Sequence, residues 1–123
     1  MIPRYSLELT HKAQNQFRFN VTRAGIAEDL STWSNLWFAA KRRATDPDDR
    51  VIFEKVLFAG VEIIDAPTGL VEVTLEPTDG DDLTEGSRYN LHGDVGGTDG
   101  DLKVWQLFTL AITLYPRIRR SSF

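Results

Sequence analysis

Apolar and polar residues alternate along most of this chain. Tyr5, Leu7 and Leu9 alternate with polar neighbours, and Phe17, Phe19 and Val21 do so against Arg18, Asn20 and Thr22. A period of two puts the apolar members on one face of an extended segment, so both stretches are predicted to be half-buried strands. The polar run His11-Lys12-Ala13-Gln14-Asn15 between them reads as their connection. Gly25 to Thr32, with its Gly and Asp-Leu-Ser signals, reads as a loop.

In the next segment Leu36, Phe38 and Ala40 lie on one side, and Trp37 and Ala39 on the other, until the basic end at Lys41. A strand apolar on both faces is expected at the centre of a sheet. Asp46-Pro47-Asp48-Asp49 then breaks the pattern, because proline fixes φ and Asp side chains bond to nearby backbone. Val51 to Phe58 is rich in β-branched and aromatic residues. Its Phe53, Val56 and Leu57 also fit helical spacing, but the segment is short and lacks the cap and glycine stop of a helix, so a strand is expected. Gly60 leads into a further strand over Val61 to Ile64, and Asp65-Ala66-Pro67-Thr68-Gly69 turns the chain back.

Val71, Val73 and Leu75 oppose Glu72 and Thr74, while Tyr89 and Leu91 oppose Arg88, Asn90 and His92. Alternation this regular implies one buried and one wet face, as in an antiparallel sheet. Pro77 to Asp82 reads as a turn, and Leu83 to Leu91 as the approach to the next strand. Gly93 to Asp101 holds four glycines and three aspartates and reads as a flexible tip. A long final strand is expected from Leu102 to Tyr115. Together these segments predict an all-β chain: an immunoglobulin-like antiparallel β-sandwich of about seven or eight strands. The expected organisation is one domain over residues 1–123, with an N-terminal arm over about 1–14 and a C-terminal tail over about 116–123. Leu83-x-x-Gly86-x-x-Tyr89-x-Leu91 fits the tyrosine corner of such sandwiches, with Leu91 at the place of the second cysteine; an ordinary core tyrosine fits equally well.

Composition narrows the function. Apolar residues make up 41% and charged residues 26%, ordinary proportions for a chain that folds. A net charge of −4 lacks the basic field that captures a phosphate backbone, so no nucleic-acid partner is expected. The basic clusters Lys41-Arg42-Arg43 and Arg117 to Arg120 read as solvated ends. The absence of cysteine removes disulfides, thiol nucleophiles and Cys-ligated zinc. No apolar run approaches the ~18 residues of a membrane span, and Met1 to Ser6 lacks the order of a signal peptide, so no membrane role is expected.

Catalytic constellations are missing. His11 and His92 are the only histidines, and neither neighbours a serine-nucleophile motif. His92 with Asp94 falls short of a zinc ligand set, and the aspartates at 79, 81, 82, 94, 99 and 101 lack EF-hand spacing and suit turns. Gly96-Gly97-x-x-Gly100 does not open a helix and is no phosphate loop. No enzyme, cofactor or metal is expected. Trp33, Trp37 and Trp105 are candidates for a sugar platform, or for a core or subunit interface, where tryptophan is enriched.

One pattern of elements runs from Gly25 to Leu114. Asp29-Leu30-Ser31 precedes Leu36-Trp37-Phe38-Ala39-Ala40-Lys41; Asp65-x-x-x-Gly69 leads into Leu70 to Leu75; Leu83-x-x-Gly86-x-x-Tyr89 and the closing strand follow. In this order the chain resembles the N-terminal domain of bacteriophage baseplate upper proteins and related short tail proteins. The resemblance implies a non-enzymatic virion structural protein, an assembly module of tail or baseplate. Such a protein is assembled in the host cytoplasm and packs against copies of itself and other virion proteins. A capsid-surface decoration protein is the alternative within that class, and a carbohydrate-binding β-sandwich module the alternative outside it. Tyr5, Leu7, Trp37, Trp105, Arg117, Arg119 and Phe123 are the candidate interface residues, as apolar or basic groups on outer faces and ends.

Overall fold

The structure is a computed structural model that describes residues 4–23, 25–43, 45, 51–80, 83 and 86–116. Its strands are β1 (Arg4–Thr10), β2 (Asn15–Asn20), β3 (Thr22–Arg23), β4 (Ile26–Ala27), β5 (Asn35–Lys41), β6 (Phe53–Leu57), β7 (Gly60–Asp65), β8 (Leu70–Leu75), β9 (Tyr89–Thr98) and β10 (Val104–Tyr115). Eight of them form one mixed sheet in the order β1-β10-β9-β5-β6-β7-β8-β2, nearly closed into a barrel, while β3 and β4 form a small hairpin.

The all-β expectation holds, but the sheet is not purely antiparallel. β1 lies parallel to β10 along its whole length, from Arg4 opposite Thr109 to Thr10 opposite Tyr115. Residues assigned to an arm therefore form an edge strand. β6 and β7 are also parallel, over only two residue pairs, Val56 with Gly60 and Leu57 with Val61. Parallel strands normally need a long crossover. Here the chain makes a tight detour instead: Ala59 N–H donates to Val56 C=O at 2.9 Å, and Phe58 N–H to Val61 C=O at 2.9 Å. Phe58 takes a left-handed φ of 71° to do so, which is costly for a bulky residue.

The interior follows the alternation. Leu36, Phe38 and Ala40 of β5, Val71, Val73 and Leu75 of β8, Leu91 and Val95 of β9, and Leu110, Ile112 and Leu114 of β10 are all buried in one core. Phe38 stacks on Phe53 at 5.8 Å between centroids and meets Phe17 edge-on at 5.3 Å. β5 is central, as its two apolar faces imply, with β6 and β9 as neighbours.

The segment from Gly93 departs most from its sequence signal. It is no flexible tip: β9 continues to Thr98, and Gly93, Gly96 and Gly97 are buried within it. A Cβ on Gly97 would lie 2.6 Å from the Trp33 ring, one on Gly93 would lie 2.9 Å from the Leu110 side chain, and one on Gly96 would collide with the Trp37 ring. These glycines let large side chains lie directly on the strand. The turn is confined to Asp99–Lys103, where Leu102 N–H donates to Asp99 C=O at 3.0 Å. The strand before the turn starts at Tyr89, later than the sequence approach from Leu83.

Candidate functional site

Two surfaces combine unusual exposure with unused bonding capacity. The first is the seam where the sheet fails to close. β1 and β2 are its two edges and are consecutive in the chain, joined by the turn over 11–14. At the turn end the seam is fastened by a side chain: Thr10 N–H donates to Asn15 Oδ1 at 3.1 Å, and Asn15 Nδ2 donates to Thr10 C=O at 2.9 Å. Asn15 thus imitates the missing strand at that point. His11 locks the same end from inside. It is 2% exposed, and its Nε2 lies 3.0 Å from Gly80 C=O, tying the β1–β2 turn to the turn after β8.

Beyond Asn15 the edges part. Val21 N–H donates to Gly69 C=O at 2.8 Å, in phase with the pairs Phe19–Val71 and Phe17–Val73. Antiparallel residues alternate in the direction of their backbone groups, so those of Gln16, Arg18 and Asn20 point away from β8, into the seam. On β1, His11 N–H donates to Tyr115 C=O at 2.8 Å, and the same alternation turns Ser6 and Glu8 outward. No strand pairs with either edge among the described residues.

Between the edges lies a largely apolar cavity of about 360 Å³, with Ser6, Arg18, Asn20 and Thr22 as its polar lining. Tyr5, Leu7, Phe17, Phe19, Leu107 and Phe108 line it. Phe108 receives Tyr5 edge-on at 5.4 Å and Phe19 edge-on at 5.0 Å. Leu107 is the extra residue where the β10–β9 register shifts between Gln106 and Phe108. Phe17 and Phe19 face the core yet stay half-buried, and no strand among the described residues pairs with the outer side of β2.

The second surface is the outer face of β6, β5, β9 and β10. The Trp37 ring lies on Gly96, and Ala39 sits between Glu54 of β6 and Asp94 of β9 in the register. Gln106 Nε2 donates to Asp94 Oδ1 at 2.8 Å. His92 stands on the same face, opposite Lys41.

The candidate residues are thereby divided. Tyr5, 54% exposed, and Leu7, half-buried, line the seam. Trp37 is half-buried on the outer face. Trp105 is half-buried too, but it braces the β9–β10 turn, its indole N–H donating to Asp99 Oδ2 at 2.9 Å. Trp33 is buried, so it offers no platform to a sugar. Arg117, Arg119 and Phe123 lie outside the described residues. Asp29 and Asp99 do turn work, Asp29 accepting from Ser31 N–H at 2.9 Å and Asp99 from the N–H groups of Asp101 and Lys103 at 2.9 and 3.0 Å, whereas Asp94 lies within β9 and not in a turn, and Asp81 and Asp82 lie outside the described residues. Those bonds hold the Asp29 carboxyl below its ordinary value; the Trp105 bond is the main cause for Asp99, with backbone help and against partial desolvation.

Sequence reading did not reach Asn15, His11 or the glycine pair as structural devices. Each depends on a partner far along the chain. No family model matches the sequence, and neither does any curated protein.

Proposed function

We propose that this chain is a non-enzymatic structural module of a bacteriophage virion, part of the tail or baseplate, which joins a neighbouring subunit through the seam between β1 and β2. The open seam is the observation that carries the joining role. The phage assignment rests on the sequence resemblance to baseplate upper proteins.

The chemistry of the seam selects its occupant. A flat apolar partner would bury the backbone groups of Ser6, Glu8, Gln16, Arg18 and Asn20 without bonding them, and each buried unpaired group costs about 1–3 kcal/mol. An extended segment satisfies them while its alternate side chains enter the cavity beside Phe19 and Phe108. That is strand addition, a recurring mode of protein recognition. The occupant is an extended segment of a neighbouring subunit.

We also read the sheet as an immunoglobulin-like sandwich folded over at the narrow β6–β7 joint. In the order of neighbouring strands, β10-β9-β5-β6 follows the G-F-C-C′ order of a variable-type sheet, and β7-β8-β2 the D-E-B order of the facing one. The Phe17–Phe38 contact between the two halves and Tyr89 at the start of β9 support this reading. β1 departs from it by pairing with β10 rather than β2, and that departure leaves the seam open.

Mass spectrometry of purified particles, with light scattering on the isolated chain, tests the function. The chain is expected in intact particles and in self-associated form at high concentration. Absence from particles would overturn the assignment.

A further inference from the structure

The outer face of β5 and β9 holds a depression of about 330 Å³ with a composition unlike the seam. Its floor is small. Ala39 and Gly96 occupy neighbouring central strands where the flanking positions carry Trp37, Glu54, Asp94 and Gln106. The indole of Trp37 spans that floor, lying against Gly96 so closely that no side chain fits beneath it. An outward tryptophan on a polar face, with a glycine reserved to receive it, is more than a solvated strand requires.

The polar groups around it are largely uncommitted. Among the described residues the Trp37 indole N–H, the His92 ring and the Glu54 carboxylate make no hydrogen bond, and Asp94 spends only Oδ1, on Gln106. Glu54 and Asp94 flank Ala39 on the two strands beside β5. Strand spacing therefore sets their α-carbons about 10 Å apart, which leaves room for one six-membered ring between them.

We infer that this depression is a binding site for a neutral saccharide, with Trp37 as its stacking surface and Asp94, Glu54 and His92 as its hydrogen-bonding groups. The two carboxylates disfavour an anion, and among the described residues no three His, Asp or Glu side chains come together to hold a metal ion. A purely apolar ligand would leave four polar side chains desolvated without partners. A sugar ring meets each requirement: its C–H face covers an aromatic plane, and its hydroxyls both donate to carboxylates and accept from N–H groups. The site is separate from the β1–β2 seam and does not depend on the assembly role.

The probes are glucose, galactose and N-acetylglucosamine, titrated into the isotope-labelled full chain and followed by proton–nitrogen NMR. The Trp37 indole signal, assigned with Trp37→Ala, is expected to shift saturably with at least one sugar, while the Trp33 and Trp105 indoles stay in place. Asp94 is half-buried on the outer face and Asn keeps its shape, so Asp94→Asn should fold; it is expected to weaken that binding about tenfold, the loss of one charge-assisted hydrogen bond. Should Trp37→Ala fail to fold, Glu54→Gln provides the second variant, with a weakening in the same direction. No saturable shift at Trp37 with any of the three sugars, or equal affinity in Asp94→Asn and Glu54→Gln, would overturn the inference. Neither result bears on the presence of the chain in particles.

Discussion

The Trp33 ring packs onto Gly97 so that a Cβ there would lie 2.6 Å from it, and it does so from the buried side of β9. The adjacent Gly96 receives Trp37 on the outer side. Two indoles thus clasp one glycine pair from opposite faces.

That clasp makes Gly97→Ala a sharp test of the packing. The added methyl meets both the Trp33 ring and Asn35 C=O, the latter at 2.8 Å, and backbone cannot move aside as a flexible side chain can. Overpacking of this kind costs about 1–3 kcal/mol. Urea denaturation is expected to show a loss in that range, with the near-ultraviolet signal of the tryptophans altered in the folded state.

His11 should matter to stability more than its place in a polar turn implies. Its ring is buried edge-on against Tyr89 at 6.4 Å and bonds Gly80 C=O. His11→Ala removes that bond, leaves the carbonyl unpaired and opens a void, for an expected loss of about 1–3 kcal/mol in chemical denaturation. A loss no larger than that of an exposed turn residue would contradict the locking role.

Asp99 gives the fold an acid-sensitive contact. Its carboxyl titrates below its ordinary value of 3.8, chiefly through the Trp105 indole. A carboxyl depressed in the folded state contributes stability that is fully present above its unfolded value and is lost as pH falls through the folded one. Wild type is therefore expected to melt above Asp99→Asn at neutral pH, and the gap should narrow only below about pH 3.8. Melting curves of both proteins across acid pH check this.

The alternation of Leu36 to Ala40 and of Val71 to Leu75 made the strands and the central place of β5 legible in the sequence. Pairing direction was not legible, since a period of two is the same whichever way a neighbour runs. Hence β1 read as an arm. The glycines of β9 misled for a physical reason: glycine marks a turn when it supplies backbone freedom and marks a strand when it makes room for a ring. Only the Trp33 and Trp37 contacts distinguish the two. Of the site, Tyr5 and Leu7 were legible as apolar residues on an edge segment. The seam itself was not, because it joins β1 and β2 to Leu107 and Phe108 about a hundred residues later.

Amide hydrogen exchange, compared between the free chain and the chain in purified particles, tests the joining role of the seam most directly. Strand addition predicts slowed exchange on assembly at Ser6, Glu8, Gln16, Arg18 and Asn20, whose backbone groups line the open edges. Unchanged rates at these five amides in particles that contain the chain would contradict it.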